Sequence, residues 1–208
     1  MTPTLTSAVT AVTDLDPNGT YSYADYVSWQ FEELVELWRG KIIRRMSAPT
    51  DRHQAVVGNL FLSLASYLKG RPCQIRVAPY DVRLNKRGTT ADAAIYTVVQ
   101  PDICVICDPG KIELRGCLGA PDLVIEVTSP RTASHDWKGK FDLYEENGVK
   151  EYWVVMPQEN SLSAFVRDEA TGCFRSVGEY GSPGRIGCAT LPELELDWTD
   201  VFPGAPFV

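Results

Sequence analysis

The segment from residue 122 to residue 156 constrains the fold of this chain more than any other. It begins with the β-rich run 122–128, continues with a helical pattern over residues 135–146, and ends with a second β-rich run, 151–156. A strand, a helix and a strand in this order predict a βαβ-like unit inside a mixed sheet.

Two more helices are predicted upstream of this unit. Ser22 and Asp25 form a capping-box pattern for a helix that runs through Trp29 and ends before Gly40. Thr50 can cap a longer helix over residues 51–69. The stripe at helical spacing on this longer helix consists of His53, Val57, Leu60, Leu64 and Leu68.

The remaining patterns favour short strands. The β-rich runs lie at residues 41–46, 74–77, 80–84 and 102–107, and residues 161–167 and 173–179 predict a hairpin at the margin of the sheet. The fold class expected is therefore α/β, with a mixed central β-sheet flanked by helices and a C-terminal β-hairpin.

Length and composition favour one domain. The chain has 208 residues, of which 44% are hydrophobic, enough for a single core of ordinary size. Residues 1–20 carry turn formers without a periodic pattern, so we expect a flexible N-terminal tail followed by one domain over residues 21–208.

The sequence shows neither a signal peptide nor an apolar run of the roughly 20 residues that a membrane span requires. We therefore expect a cytoplasmic protein that does not enter a membrane. For the same reason the six cysteines are expected to be reduced, mostly buried thiols. Cys104 and Cys107 lie in one strand pattern at a spacing that points their sulfurs to opposite faces, which argues against a metal or redox pair.

Two acidic residues interrupt or open apolar strand patterns. Asp102 opens the run before Ile103, and Glu126 lies inside the run 123–127. A carboxylate in such a place is rarely buried without a partner or a metal. If the two strands are neighbours, the two carboxylates can converge as oxygen ligands for Mg²⁺.

A cation is expected near these acids to hold an anionic substrate. Lys140 fits because Asp136, Lys140 and Tyr144 share one helix face at i, i+4 spacing. Taken singly, each residue also has a structural explanation: Asp122 as a turn or strand-start residue, Asp136 as a partner of the helix dipole, and Lys140 as a solvated lysine.

As a set, these residues resemble a large bacterial family of restriction-endonuclease-like proteins with the PD-(D/E)XK fold. The similarity extends from about residue 21 to residue 202. The matching segments are 119–130, then Lys140 and Tyr144, then 148–155, together with 36–40, 46–49, His53, Pro101-Asp102 and the leucine-rich stretch 191–197.

The resemblance implies a nuclease core in which Asp102 and Glu126 bind Mg²⁺ (or Mn²⁺), Lys140 orients a water or stabilises charge, and Glu36 is an auxiliary acid. Two departures stand out. The fold's usual lysine lies two residues after the second acid, where this chain has Thr128, so the role falls to Lys140. Arg39 replaces an acid of the family's E-L-x-D-G segment.

Four aromatic or histidine side chains remain open to two interpretations. His53 is either a packed, hydrogen-bonded core residue or a catalytic one. Tyr144, Tyr152 and Trp153 are better explained as core aromatics than as platforms for base stacking.

The function expected is Mg²⁺-dependent hydrolysis of phosphodiester bonds by an endonuclease that acts on DNA rather than RNA, as a homodimer. One alternative is a catalytically silent binding or regulatory domain with the same fold. Another is a metal-dependent hydrolase of a small phosphorylated or nucleotide substrate.

The charge of the chain bears on this expectation. The net charge of −7 argues against nonspecific coating of nucleic acid, which depends on Lys and Arg. However, residues 1–36 hold six acids and residues 189–208 hold four, with no Lys or Arg in either, so residues 37–188 have 17 acids against 20 basic residues. A mildly basic central region is compatible with local phosphate chemistry.

Overall fold

The computed structural model describes residues 8–44, 49–85, 88–128, 136–202 and 204. The helices within these ranges are α1 (Tyr23–Tyr26), α2 (Asp51–Leu68), α3 (Asp136–Asn147) and α4 (Trp198–Val201). The strands are β1 (Val35–Trp38), β2 (Lys41–Arg44), β3 (Gln74–Val77), β4 (Val82–Leu84), β5 (Thr97–Val99), β6 (Ile103–Ile106), β7 (Ile112–Glu113), β8 (Gly116–Leu118), β9 (Leu123–Val127), β10 (Glu151–Met156), β11 (Ser161–Arg167), β12 (Phe174–Tyr180), β13 (Arg185–Gly187) and β14 (Glu195–Asp197).

The central sheet has six strands in the order β12-β11-β10-β9-β6-β3. Strands β9 and β10 are parallel, with Glu151 opposite Leu123, and α3 lies between them in the chain. The predicted βαβ-like unit and the α/β class with a mixed sheet are therefore confirmed. The hairpin β11–β12 forms one margin of this sheet, also as predicted.

A second six-stranded sheet, in the order β2-β1-β5-β4-β8-β7, was not anticipated. It includes residues 35–38, which form β1, and the helix capped by Ser22 ends at Tyr26, earlier than predicted. The capping box between Ser22 and Asp25 is confirmed. Arg39 and Gly40 both have positive φ, 50° and 82°, which suits a tight turn between two twisted antiparallel strands. This turn chemistry, missed in the sequence, makes β1 and β2 a hairpin.

The two long helices cover opposite faces of the central sheet. Leu60 and Leu64 of α2 are fully buried against Ile103 and Ile125, so the predicted stripe is confirmed as a core face. On the other face, Leu143 of α3 belongs to a second cluster that includes residues of β6, β9 and β10. The strands of this sheet thus have apolar side chains on both faces, which explains their continuous apolar runs.

The prediction that all six cysteines are reduced is wrong for one pair. Cys73 and Cys107 form a disulfide because β3 pairs with β6 in antiparallel register, with Gln74 opposite Ile106, and the two cysteines occupy the next positions. Cys104 packs in the second cluster, whereas Cys107 packs against the first, so the predicted opposite faces are confirmed. The other four cysteines are free, and Cys173 is exposed.

No helix in the described ranges is long and apolar enough to cross a membrane. Residues 8–20 include a 3-10 turn, Val12–Asp14, in which Val12 is buried. The division into a tail of 20 residues and one domain stays a prediction. The predicted strand end at residues 45–46 lies outside the described residues, as does the start of the helix at residue 135.

Candidate active site

Asp102, which immediately precedes β6, lies beside Glu126 of the neighbouring antiparallel strand β9. Ile103 of β6 pairs with Ile125 of β9, and the two acids occupy the next positions on their chains. Alternation places Asp102 with Cys104 and Glu126 with Val124, residues that share the second cluster, so both acids belong to the same face of the sheet. Each acid is only 8% exposed. The structure therefore brings together the two residues expected to bind metal.

Helix α3 supplies two hydrogen-bond donors to Glu126. Lys140 Nζ lies 2.8 Å from Glu126 Oε1, and the hydroxyl of Tyr144 donates to the same oxygen at 2.6 Å. Both side chains reach the carboxylate because residues at i and i+4 share a helix face. Burial and the charge of Glu126 raise the pKa of Tyr144 well above its usual value, so its hydroxyl stays protonated and remains a donor.

Glu36 enters the site from the second sheet. Its Oε1 lies 3.5 Å from Lys140 Nζ and accepts a hydrogen bond of 2.9 Å from the backbone N–H of Gln100. Its Oε2 accepts a bond of the same length from the indole N–H of Trp38. These contacts hold the Glu36 carboxylate on the side of Lys140 that faces the second sheet.

Trp38 also contacts the helix that carries Lys140. A Cβ atom at Gly139 would lie 2.7 Å from Cζ3 of Trp38, closer than side chains tolerate. Glycine at this position lets the indole ring approach the backbone of α3. The contact fixes the distance between α3 and β1, and with it the separation of Lys140 and Glu36.

Asp102 is held through one of its two oxygens. Its Oδ2 accepts a 2.8 Å hydrogen bond from the backbone N–H of Val127 and lies 3.3 Å from His53 Nε2. Burial alone would raise the pKa of Asp102, but the bond from His53, the charges of His53 and Lys140 and the Val127 N–H outweigh burial and lower it. Asp102 is therefore ionised in its buried position.

Other residues considered from the sequence have structural roles outside the cluster around Lys140. Asp122 accepts a 2.7 Å bond from the backbone N–H of Cys107 and pairs with Lys150 at the same distance, which fits its structural interpretation at the start of a strand. Tyr152 and Trp153 are fully buried core aromatics, as expected. The side chain of Asp136 is outside the described residues.

Tyr144 has a second role that we did not predict. It is fully buried in the second cluster, as expected of a core aromatic, yet its hydroxyl contacts Glu126. The signal was present in the sequence, because Tyr144 follows Lys140 by one helical turn. Trp38 and Gln100 gave no such signal, since their contacts with Glu36 depend on the second sheet.

The donor atoms of the site limit the kind of metal ion that it can hold. Within the ranges that the structure describes, no group of three or more His, Cys, Asp or Glu side chains is arranged to hold a metal ion. Mg²⁺ commonly binds through one or two carboxylates and keeps several waters. Asp102 and Glu126 fit this smaller requirement, because Oδ1 of Asp102 accepts no hydrogen bond from the described residues.

The fold and this site can be compared with known proteins. The Uma2 family, described as "Putative restriction endonuclease", matches residues 23–199. A crystal structure from Anabaena variabilis ATCC 29413, described as a putative nuclease belonging to DUF820, superposes with a TM-score of 0.69 at 19% identity, over 88% of this chain and 97% of that one. This structural likeness shows a shared fold.

A relative from Synechocystis sp. PCC 6803, the uncharacterized protein slr1290, is 27% identical over 134 residues. The match covers 64% of this chain and 66% of the relative, just under two thirds of its length.

Proposed function

Because the chain belongs to the Uma2 family of restriction-endonuclease-like proteins, we propose that it is a divalent-metal-dependent endonuclease that hydrolyses phosphodiester bonds in DNA. The observation that carries the proposal is the buried cluster in which Lys140 contacts Glu126 and Glu36 beside Asp102. In such hydrolysis carboxylates can hold the metal, and a lysine and the metal can stabilise charge that develops on the phosphate.

In this proposal Asp102 and Glu126 hold Mg²⁺ or Mn²⁺. When bound, the metal would act as a Lewis acid and would lower the pKa of the attacking water. Lys140 neutralises charge that develops on the nonbridging phosphate oxygens or orients the attacking water. Glu36, held by Trp38 and Gln100, positions the Lys140 ammonium, which gives the auxiliary acid a specific task.

The electrostatics of the site support these roles. Lys140 is 8% exposed, so its interaction with a phosphate would be screened less than that of a surface lysine. The low pKa of Asp102 keeps this ligand deprotonated, which is the form that binds a cation. Tyr144 restrains Glu126 without adding charge.

The test is a cleavage assay on supercoiled plasmid with Mg²⁺, with Mn²⁺ and with excess chelator. We expect wild type to cut in either metal, and Asp102→Asn, Glu126→Gln and Lys140→Met each to reduce the rate by about 100-fold or more. Glu193→Gln is the matched control because Glu193 is an exposed acid that pairs with Arg71, beyond the end of α2 opposite to His53. Metal-dependent cutting retained by both Asp102→Asn and Glu126→Gln would overturn the assignment.

The net negative charge of the chain favours a second candidate function. A hydrolase of a small phosphorylated or nucleotide substrate does not need a basic surface, and the net charge is −7. Plasmid, single-stranded DNA, RNA and a nucleotide panel, assayed side by side, separate it from the endonuclease. Metal binding without turnover of any of these would instead favour a silent binding domain.

The proposal includes two further expectations about the protein in the cell. We expect a cytoplasmic homodimer, with the exposed margin of the central sheet at β12 as the edge available for pairing. Light scattering after size exclusion tests the dimer, and an elution mass near 23.1 kDa at all concentrations would exclude it.

A further inference from the structure

His53 makes a buried contact with the candidate metal-binding acid that the proposed mechanism does not use. Its Nε2 lies 3.3 Å from Asp102 Oδ2, and the imidazole and carboxylate side chains are 11% and 10% exposed. The helix start fixes the backbone at this point, since Thr50 Oγ1 accepts a hydrogen bond from the N–H of His53.

The packing of α2 explains why the imidazole reaches this place. His53 lies on the same helix face as Val57 and Leu60, which pack on the central sheet. It is the first member of that stripe. The imidazole therefore lies at the end of the sheet where β6 begins, next to Asp102.

The other ring nitrogen makes this histidine costly as a packing residue. His53 Nδ1 is buried and has no hydrogen-bond partner among the described residues. A buried polar atom without a partner destabilises a fold, and a hydrocarbon side chain at this position would avoid the penalty. The contact between the ring and Asp102 offsets this cost.

The contact also determines which carboxylate oxygen is available. The Val127 N–H donates to Oδ2 of Asp102, and His53 Nε2 lies 3.3 Å from the same oxygen. These two contacts on one oxygen restrain the carboxylate. Oδ1 accepts no hydrogen bond within the described part of the chain.

We propose that His53 is a positioning residue that holds Asp102 through Oδ2 and so presents Oδ1 to a divalent cation. This inference rests on the proposed function. Hydrogen bonds to metal-binding carboxylates orient the ligand, and their removal commonly lowers metal affinity by about 10- to 100-fold.

The experiment is calorimetric titration of the full chain with MnCl₂, without nucleic acid. We expect His53→Phe and His53→Leu to weaken Mn²⁺ binding by about 10- to 100-fold, whereas His53→Gln, which keeps a donor, recovers part of the loss. Thermal melts of both apolar variants check that they fold, because each removes the unpartnered nitrogen but also one polar contact of the buried Asp102 carboxylate. At saturating Mn²⁺ their plasmid cleavage should return close to the wild-type rate.

Three comparisons separate the possible outcomes. Val57→Ala removes packing one turn further along α2 and should leave Mn²⁺ affinity unchanged; a loss equal to that of His53→Phe would reduce His53 to a packing role and overturn the inference. Wild-type affinity in both apolar variants, with binding abolished by Asp102→Asn, would overturn the inference alone. No Mn²⁺ binding by wild type would overturn the proposed function and, with it, the role of His53.

Discussion

The indole ring of Trp38 packs against the backbone of α3 at Gly139, where a single added methyl group would lie 2.7 Å from ring atom Cζ3. The same ring donates its N–H to Glu36. One side chain thus sets the spacing between the helix that carries Lys140 and the strand that carries Glu36.

Replacing this glycine tests the spacing. Gly139→Ala should lower the cleavage rate by about 10-fold or more, because displacement of Trp38 weakens its bond to Glu36 and moves Lys140. The higher helix propensity of alanine, about 1 kcal/mol, offsets part of the steric cost, so the melting temperature should change little. Cleavage kinetics and thermal melts measure the two effects.

Gly58→Ala is the matched control. Gly58 is an exposed glycine of α2, and a Cβ atom there meets nothing within 4 Å. We expect this variant to gain about 0.5 to 1 kcal/mol of stability with unchanged cleavage. Wild-type cleavage in Gly139→Ala as well would show that the Trp38 contact does not position Lys140.

Removal of the Tyr144 hydroxyl tests the second donor to Glu126. Tyr144→Phe should lower the free energy of unfolding by about 1 to 3 kcal/mol, because a buried carboxylate loses a hydrogen bond. It should also weaken Mn²⁺ binding by about 10-fold. Urea denaturation and calorimetric titration give the two quantities. Tyr67→Phe on α2 is the control, and equal losses in both variants would argue against a specific role for the Tyr144 hydroxyl.

Asp122 provides a contrast between a structural acid and the site acids. Burial opposes its ionisation, but the bond from Lys150, the Cys107 N–H and the charges of Lys150 and Lys111 lower its pKa below the usual 3.8. A lowered folded-state pKa gives stability that is present above the unfolded-state pKa and is lost as the pH falls through the folded-state pKa. Asp122→Asn should therefore destabilise the protein most at neutral pH and progressively less below about pH 4.

The readout is urea unfolding of both proteins from pH 7 down to pH 3, with plasmid cleavage measured at pH 7. We expect Asp122→Asn to cut DNA at a rate close to wild type under folding conditions. A destabilisation independent of pH would mean that the Asp122 charge does not stabilise the fold.

Thiol labelling tests the Cys73–Cys107 bridge. Protein purified without reductant and then denatured should take up label at four cysteines, and at six after reduction, as read by mass spectrometry. The bond closes a loop with a sequence separation of 34, so reduction should lower stability by about 2 to 4 kcal/mol. Six labelled cysteines before reduction would show that the bridge does not form.

Local patterns predicted much of the central sheet. The bounds of β3 and β10 agree with their sequence runs, and α2 begins after Thr50 because that residue caps it. The alternation of β9 also placed Glu126 on one defined face. In each case the physical signal, a cap or a period of two or 3.6 residues, lies within the segment itself.

Contacts between distant segments were harder to predict. The pairing of β3 with β6, which creates the disulfide, depends on strand register across about 30 residues, and no local pattern encodes it. Glu36 reaches Lys140 because β1 belongs to a second sheet, whereas the sequence around it was assigned to the end of a helix. The resemblance to a nuclease family nevertheless selected Glu36, although not the hydrogen bonds that hold it.

Lys140 contacts one acid from each sheet, Glu126 of the central sheet and Glu36 of the second sheet. If the second sheet detached while the central sheet stayed folded, the ammonium group would lose one of its two anchors and the acids would no longer share a fixed geometry. Inactivation by mild denaturant would then precede the loss of most secondary structure. The proposed activity would therefore depend on the seam between the two sheets and would be lost as soon as that seam loosened.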